Sequence, residues 1–440
     1  MMFGKNEKSV FMPGPLSAGH HQLAQSCDSC HTDAFGGGEV LQESCIECHG
    51  DDRRKPFDSH PIAKFRDPRN AARLAKIDAT NCVSCHTEHR PEITAVNGVT
   101  QPKDVCFHCH EDIAEERPSH DGMAFVDCTT SGCHNYHDNR ALYTDFLIKH
   151  MDQADQLELQ TIEVLDFISV IDQVVEYPID KYPVQALEKA AMDAPSDVTV
   201  DDQLVEDWHD TRHAKVGVNC SGCHQPVDAE GVIAEWQDKP GLEGCQSCHA
   251  TEVSGFQQGK HGMRLAAGLS PMTPKQARLP MAADNAHEEL TCASCHGAHR
   301  FDTERAAVES CLGCHSDAHS LAYKASSHFD LWERELQGIG EANTGVSCAT
   351  CHMPRVEKDV SDWLSRVVVE HNQSEFFAPN SKMIRPVCQS CHGLPFSIDA
   401  LADSKLISNN FQGLPTLHVD SVDLARKDAQ RHEQRQSNSN

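Results

Sequence analysis

Apolar residues are sparse in the first third of the chain. From residue 1 to residue 140, the intervals between cysteine-containing segments are short, polar and rich in Gly, Pro and Asp. Burial of apolar surface is the main driving force of folding, and this stretch has little apolar surface to bury. The pattern therefore predicts short helices joined by coil, with much of the core supplied by groups other than aliphatic side chains.

The next segment, residues 141–208, contains no cysteine and carries 16 acidic but only 3 basic residues. Apolar residues from Leu157 to Val175 recur at helical spacing, which predicts an amphipathic helix. The stretch FISVIDQVVEY is also β-branched enough to form a strand, and Pro178, Pro183 and Pro195 end the regular part. We interpret the segment as an acidic, partly helical linker, with a docking surface for a basic partner as the alternative.

In residues 209–425 the intervals between cysteine-containing segments are wider. The helical patterns there are longer, as at Phe329–Leu336 and Asp362–Glu370. Residues 426–440 are polar and are expected to be disordered. The sequence thus predicts a first module at 1–140, the linker at 141–208, a second module at 209–425 and a tail.

The 440 residues include 22 cysteines and 29 histidines, but only 6% are aromatic. Ten Cys-x-x-Cys-His motifs begin at Cys27, Cys45, Cys82, Cys106, Cys220, Cys245, Cys292, Cys311, Cys348 and Cys388. Their second cysteines are Cys30, Cys48, Cys85, Cys109, Cys223, Cys248, Cys295, Cys314, Cys351 and Cys391. A stretched version combines Cys128, Cys133 and His134. These eleven pairs use every cysteine of the chain.

This spacing is typical of covalent haem c attachment. Two thiols form thioethers with the haem, and the next residue, a histidine, ligates the iron. Disulfide frameworks and zinc ribbons would not place a histidine after every second cysteine. The motifs predict eleven haems in a mostly α-helical protein with extensive coil and a haem-packed core. The stretched motif alone could also be two unrelated cysteines. The proximal histidines are His31, His49, His86, His110, His134, His224, His249, His296, His315, His352 and His392.

Eighteen further histidines remain, more than one for each iron. Most irons can therefore have two histidine ligands, which favours electron transfer over substrate binding. His108, inside its own motif, and His432, in the polar tail, are the expected exceptions. In the second module the candidate distal ligands are His213, His261, His299, His328 and His371.

The first module resembles the small class III multihaem cytochromes, because CVSCHTEHRP places a second histidine three residues after a motif. In that family such histidines ligate a neighbouring haem. The resemblance implies that the distal ligands of this module come from His20 or His21, His60, His89, His120, His137 and His150.

The second module is similar to the hydroxylamine oxidoreductase and pentahaem nitrite reductase superfamily. The resemblance is carried by CQSCHATEVSGFQQGKHGMR, by CLGCHSDAH with the following YKASSH, and by GVSCATCHMPR with VCQSCH. It implies a catalytic haem on Cys245, Cys248 and His249. Asp317 and His319 would be its proton donors, and His328 would ligate another haem.

Several positions depart from the family pattern. The nitrite reductases have a lysine where this chain has His249, and they have a catalytic tyrosine near the position of Asp317. The hydroxylamine enzymes link the haem to a late tyrosine, whereas no tyrosine follows Tyr323. Any catalysis would therefore run reductively, on nitrite, hydroxylamine or a related oxyanion. In the alternative interpretation His319 is a distal ligand and Asp317 a turn residue. If His261 were the distal ligand of the haem on Cys245 and Cys248, no substrate could bind to that iron.

The formal net charge is −28, which disfavours nucleic acid and anionic membranes and favours a basic redox partner. A membrane-associated, quinol-linked partner and a homo-oligomer are also compatible with the sequence. No apolar run approaches the ~20 residues of a membrane-spanning helix. Because haem c is attached outside the cytoplasm, we expect a periplasmic or extracellular protein. The N-terminal residues lack an apolar signal core, so an export signal is expected to have been trimmed or to lie upstream.

Overall fold

The computed structural model describes residues 12–33, 37–54, 60, 65, 67–94, 100, 105–117, 120–121, 136–137, 144–165, 185–227, 231–361, 364–377 and 380–437. The stretched motif, Cys128 to His134, lies outside these residues. The described chain is mostly helical with extensive coil and few strands, which confirms the predicted fold class. No helix within it is long and apolar enough to cross a membrane.

Most helices are short and follow or contain a cysteine motif. The α-helices are Gly38–Arg54, Ala71–Leu74, Ile113–Glu116, Thr144–His150, Asp202–His209, Arg212–Lys215, Ser221–His224, Glu243–Gln246, Ala250–Gln258, Met263–Ala266, Cys292–His296, Thr303–Ala307, Glu309–Leu312, Ala318–Ala322, Ser327–Leu336, Cys348–His352, Leu394–Ala402, Ser404–Ser408 and Ser421–Ser437. The 3-10 turns are His21–Leu23, Cys27–Ser29, Pro68–Asn70, Cys82–Ser84, Val105–His108, Lys189–Ala191, Pro274–Gln276, Ala283–Asn285, Tyr323–Ala325, Asn380–Met383 and Cys388–Ser390.

Side-chain caps begin many of these helices. The Asp201 side chain accepts a hydrogen bond from the backbone N–H of Gln203, and Asp302 does the same for Arg305. Ser326 caps the helix Ser327–Leu336 through the N–H of Phe329. Such caps satisfy backbone donors that a helix leaves free at its start. They explain how helices of four to ten residues form in this chain.

One antiparallel hairpin interrupts the helical pattern. Strand β1, Arg355–Ser361, pairs with β2, Leu364–Val369, and Arg355 lies opposite Val369. The prediction of a helix over Asp362–Glu370 is therefore wrong. Its run of three valines, Val367 to Val369, fits a strand better because β-branched side chains pack well on a pleated surface. The predicted helix at Phe329–Leu336 is confirmed.

The chain divides into two compact units. The first contains Met1–Gln160, Ala267–Leu269 and Ser374–Asn440, and the second contains Thr161–Ala266 and Ser270–Gln373. This division differs from the predicted modules, since the last cysteine motif groups with the first unit. The expected disordered tail also differs, because Ser421–Ser437 is a helix whose Val422 and Ala425 are buried.

The described part of the predicted linker helix is not helical. Residues 157–165 are irregular, and the backbone N–H of Ile162 donates to the carbonyl of Asn343 at 2.8 Å. In the first unit, the N–H of Leu157 donates to the carbonyl of Cys391 at 2.9 Å. These bonds replace the local i to i−4 bonds of a helix. The rest of the predicted helix, residues 166–184, lies outside the described residues.

Candidate metal centres

Each of the ten described cysteine motifs forms one helical turn. In seven of them the backbone N–H of the motif histidine donates to the carbonyl of the first cysteine at 2.7 to 3.0 Å, and the motifs of His49, His296 and His352 lie within helices. Residues three and four apart lie on one side of such a turn. The backbone therefore presents two thiols and one imidazole to the same group.

Nine of the motif histidines face a second imidazole at a nearly constant distance. The ring centroids are 5.9 to 6.5 Å apart in the pairs His31 with His89, His49 with His20, His86 with His137, His110 with His60, His224 with His299, His249 with His213, His296 with His371, His315 with His261, and His352 with His319. The second member of every pair comes from outside that motif.

This distance is the one expected for two ligands on opposite sides of one metal. A metal–imidazole bond is about 2 Å long and a ring nitrogen lies about 1 Å from its centroid, so two axial rings have centroids about 6 Å apart. The interplanar angles range from 8° to 85°. The distance between ring centroids is therefore nearly constant while the angle between the rings varies, as expected when a metal fixes the distance.

Backbone carbonyls hold several of these imidazoles through Nδ1. His60 donates to Tyr136 at 2.5 Å, His89 to Gly14 at 2.9 Å, and His371 to Val369 at 2.9 Å. Among the motif histidines, His224 donates to Gln237 at 2.6 Å and His392 to Asp155 at 3.0 Å. A proton on Nδ1 leaves the lone pair of Nε2 free for a metal.

Burial keeps several of the paired rings neutral, which is the state that binds a metal. Burial is the first cause that lowers the pKa of His261 and of His352 to about 4, and the partner imidazoles add to it. Burial also lowers the pKa of His213, His296 and His315. These imidazoles therefore remain ligands well into the acidic range.

Nδ1 of His213 and Nδ1 of His299 are buried and have no hydrogen-bond acceptor among the described residues. Buried polar atoms are nearly always paired, so each of these two atoms fits a polar group beside a prosthetic group or an ordered water. Their partners across the 6 Å gap are His249 and His224.

The sparse core fits the same interpretation. Leu147 is the buried large hydrophobic residue of the described chain up to residue 160, whereas Ser17, Gln22, Ser26 and Ser44 are buried there. A stretch of this length needs apolar groups to pack against. Bound haems would supply it, and the residues present fit such a group: two thiols and two facing imidazoles at each site.

The predicted site residues are placed as follows. Eight candidate distal ligands face a motif histidine: His20, His60, His89, His137, His213, His261, His299 and His371. The predicted proton donor His319 faces His352 at 6.0 Å. His150 lies against Phe146 at 4.5 Å. His120 and His328 stay predictions.

Asp317 acts as a helix cap. Its carboxylate accepts hydrogen bonds from the N–H of Ser320 at 3.1 Å and from its hydroxyl at 2.7 Å. Burial raises its pKa, but these bonds and the nearby His315 give a net lowering. Its Oδ2 lies 3.8 Å from Nδ1 of His315, which is too far for a hydrogen bond. A carboxyl with a lowered pKa is poorly suited to donate a proton near neutral pH.

His418 belongs to no cysteine motif, and its surroundings differ from those of the paired histidines. Nδ1 lies 3.0 Å from Asp399 and Nε2 lies 3.1 Å from Asp423, so both ring nitrogens are engaged by carboxylates. These hydrogen bonds raise its pKa. Carboxylates on both ring nitrogens, in place of a facing imidazole, set His418 apart from the paired histidines.

Neighbouring motifs touch one another through their cysteines. Cysteine side chains of two motifs lie in contact in the pairs Cys45 with Cys82, Cys245 with Cys292, and Cys311 with Cys348. The Ser310 hydroxyl also donates to the carbonyl of Cys295 at 2.6 Å. Groups attached to these motifs would therefore lie side by side.

Comparison with known proteins agrees with this chemistry. Residues 19–111 match the cytochrome c3 family, which confirms the predicted class III resemblance for that part of the first module. A cytochrome c-552 of Haemophilus influenzae is 26% identical over 229 residues, which cover 39% of this chain and 40% of the relative. These findings support a multihaem c-type cytochrome.

A second relative aligns over more of the chain. A high-molecular-weight cytochrome c of Nitratidesulfovibrio vulgaris is 25% identical over 354 residues, covering 74% of this chain and 53% of the relative. The chain thus spans about half the length of the curated relatives that it matches. No solved structure matches it significantly. The predicted resemblance to hydroxylamine oxidoreductase stays a prediction.

Proposed function

We propose that this cytochrome transfers electrons along haems that mostly have two histidine ligands. The proposal rests on the nine imidazole pairs, whose centroids lie 5.9 to 6.5 Å apart. Haem supplies one-electron chemistry, and the protein supplies the ligands that set its coordination and potential. Two histidines on one iron leave no position for a substrate, so electron transfer is the function that the pairs favour.

Contacts between motifs support a continuous order of haems in the second unit. A Cβ on Gly244 would lie 2.8 Å from the carbonyl of Cys223, so the motifs of Cys220 and Cys245 are adjacent. The thiols of Cys245 and Cys292 are in contact, as are those of Cys311 and Cys348. The hydrogen bond from the Ser310 hydroxyl to the Cys295 carbonyl connects the motif of Cys292 with that of Cys311. The order of the five haems would follow the order of their motifs in the sequence.

The first unit has comparable links. The thiols of Cys45 and Cys82 are in contact. Tyr136 stacks on His60 at 4.3 Å and contacts the ring of His137 at 5.2 Å. Since His60 faces His110 and His137 faces His86, this tyrosine would connect two haems through van der Waals contact. Including the stretched motif, we propose eleven haems in the whole chain.

The imidazole pairs weigh against a reductase site at the haem of Cys245, Cys248 and His249. That reaction needs an open position on the iron, and the ring of His213 lies 6.1 Å from that of His249. His319, the expected proton donor, instead faces His352. A reductase of nitrite or hydroxylamine therefore remains the less favoured function.

We also propose an exported location, periplasmic or extracellular, and a basic redox partner. The formal charge of −28 attracts a cationic protein through long-range electrostatics. Electron exchange with such a partner should slow as salt rises, because ions screen charges beyond about 8 Å at 0.15 M.

Steady-state assays with reduced viologen test the proposed function. The parent protein should be reduced completely and should show no turnover of nitrite or hydroxylamine above background. The His213→Ala variant, which opens the iron of His249, serves as the comparison and should bind added ligands such as nitrite. Rapid turnover by the parent protein would overturn the proposal.

A further inference from the structure

Glu88 holds the distal imidazole of one haem in a way that differs from the carbonyl-bonded sites. Nδ1 of His20 donates to Oε1 of Glu88 at 2.7 Å, and the centroid of the His20 ring lies 5.9 Å from that of His49. The backbone N–H and the hydroxyl of Ser17 donate to the same carboxylate at 2.7 and 2.6 Å. Ser17 is 8% exposed, and the side chains of His20 and Glu88 are 34% and 29% exposed.

This arrangement favours an ionised carboxylate. Three donors point at this carboxylate, one from His20 and two from Ser17, and a glutamate side chain is ordinarily ionised near neutral pH. The acceptor on His20 is thus a full negative charge. His60, His89 and His371 donate instead to neutral carbonyls at 2.5 to 2.9 Å.

A charged acceptor changes the electronic character of an imidazole. Hydrogen bonds to an ionised acceptor are roughly twice as strong as those between neutral groups. Pulling the proton on Nδ1 towards the carboxylate makes Nε2 a stronger electron donor to its metal. A stronger donor stabilises ferric iron more than ferrous iron, because the ferric ion carries the higher charge.

We propose that Glu88, through its hydrogen bond to His20, lowers the reduction potential of the haem on Cys45 and Cys48. The inference rests on the proposed function, since it takes His20 and His49 as the two ligands of that haem. Glu88 is a positioning residue, because it contacts the ligand and not the iron. The lowered potential favours electron release from this haem to its neighbours.

The position of Glu88 in the chain supports a local effect. It lies one residue before His89, whose ring faces His31, and it accepts a hydrogen bond from His20, whose ring faces His49. Glu88 therefore lies where the two haem sites of Cys27 and Cys45 meet.

Redox titration of the full-length Glu88→Gln variant tests the proposal. The glutamine carbonyl can still accept from His20, so the geometry is kept and the charge is lost. We expect one haem to titrate at higher potential, with at least a tenfold change in its ratio of reduced to oxidised form at fixed potential, or about 59 mV for one electron. The low-spin ferric resonance of the same haem should shift, while haem content stays unchanged.

Glu47→Gln is the matched control. Glu47 lies inside the same motif, is exposed, and loses the same charge. Its variant should shift the titration much less than Glu88→Gln does. Equal shifts in both variants would overturn the proposal, because the effect would then be general electrostatics.

Ser17→Ala keeps the inference testable if Glu88→Gln does not fold. This variant removes one competing donor, leaves more negative charge for His20, and should shift the potential downward. An upward shift would overturn the proposal. A high-spin iron at His49 in the parent protein would contradict the proposed function instead, whereas unchanged potentials with low-spin iron would contradict only the role of Glu88.

Discussion

His319 illustrates how much the role of one residue depends on what it faces. The sequence offers it as a proton donor near a catalytic haem or as a ligand. Its ring lies 6.0 Å from that of His352, whose pKa is lowered to about 4 first by burial and then by His319. Two imidazoles at that spacing fit a shared metal better than they fit an acid and its substrate.

Replacing His319 with alanine should therefore open one iron. The expected result is one high-spin ferric haem per chain, with the remaining haems unchanged, because only the axial ligand opposite His352 is lost. Electron paramagnetic resonance of the oxidised variant measures this directly.

His287→Ala is the control for that variant. His287 is exposed and should not affect any haem. Failure of His319→Ala to produce a high-spin signal would show that His319 is not a ligand.

At the residue scale, the sequence indicates which histidines are candidate ligands. It does not indicate which motif histidine each of them faces. Patterns such as CVSCHTEHR and CASCHGAHR predict that His89 and His299 are ligands. Both residues have φ near 64°, a left-handed conformation that turns the chain sharply after the motif. Their rings face His31 and His224, which lie in earlier motifs. No local pattern encodes that long-range choice.

At the scale of elements, the helix Ala250–Gln258 supports the segment that carries His371. A Cβ on Gly255 would lie 2.7 Å from Oε1 of Glu370 and 3.2 Å from the backbone nitrogen of His371. Glu370 is 5% exposed and is held by Lys358 at 2.5 Å, so it cannot move freely. Close packing here requires glycine.

Gly255→Ala should consequently weaken the ligation of His296 by His371. Alanine is favoured over glycine within a helix by about 1 kcal/mol, so a destabilised variant would show that the steric contact outweighs propensity. We expect a lower midpoint of thermal unfolding and partial high-spin character at one haem.

Gly37→Ala provides the comparison, since no atom lies within 4 Å of the position that its new methyl group would occupy. It should leave the haem spectra unchanged. A Gly255→Ala protein that is as stable as Gly37→Ala, with all haems low-spin, would contradict this account of the helix.

Asp403 links a helix to the irregular segment that follows it. Its side chain caps Ser404–Ser408 by accepting from the N–H groups of Lys405 and Leu406 at 3.0 and 3.2 Å. It also accepts from the N–H and the hydroxyl of Thr416 at 2.9 and 2.7 Å. The hydrogen bonds to Thr416 are the first cause that lowers its pKa from 3.8 to about 2.

The lowered pKa makes a contribution to stability that depends on pH. The ionised form is favoured in the folded state, so the contribution is present above the ordinary value of 3.8 and is lost as the pH falls towards about 2. Denaturant unfolding of the parent protein should therefore lose more stability over this range than that of Asp403→Asn. Parallel pH profiles of the two proteins would contradict the prediction.

Two segments show that sequence periodicity and polarity alone do not predict the local structure. The amphipathic pattern from residue 157 onward predicts a helix, yet the backbone N–H groups of Leu157 and Ile162 donate to distant carbonyls. The tail looks too polar to fold, yet Arg426 donates to the carbonyl of Met151 at 3.1 Å and contacts Asp152 at 3.3 Å. In both cases tertiary contacts decide the local structure.

At the scale of the whole molecule, the chain folds around its prosthetic groups. The sequence predicts this from cysteine spacing, but not that Ser374–Asn440 joins the first unit. The motif of Cys388 and Cys391 meets residues 153–157 through backbone and side-chain bonds, such as that from the N–H of Leu394 to Gln153 at 3.0 Å. These contacts span more than 200 residues and leave no periodic signal.

The number of haems is a prediction for the whole chain. Intact-mass measurement should show eleven haem additions, because each of the eleven cysteine pairs holds one group. The Cys128→Ala, Cys133→Ala double variant should carry ten. An unchanged mass addition in that variant would show that the stretched motif is not a haem site.

Spin quantitation of the oxidised protein by electron paramagnetic resonance tests the central claim most directly. The paired imidazoles predict at least nine low-spin ferric haems per chain, including the haem on Cys245 and Cys248. Addition of nitrite or hydroxylamine should not change those nine signals. Fewer than nine low-spin haems, or a high-spin signal at the haem of His249 that responds to these ligands, would contradict the account.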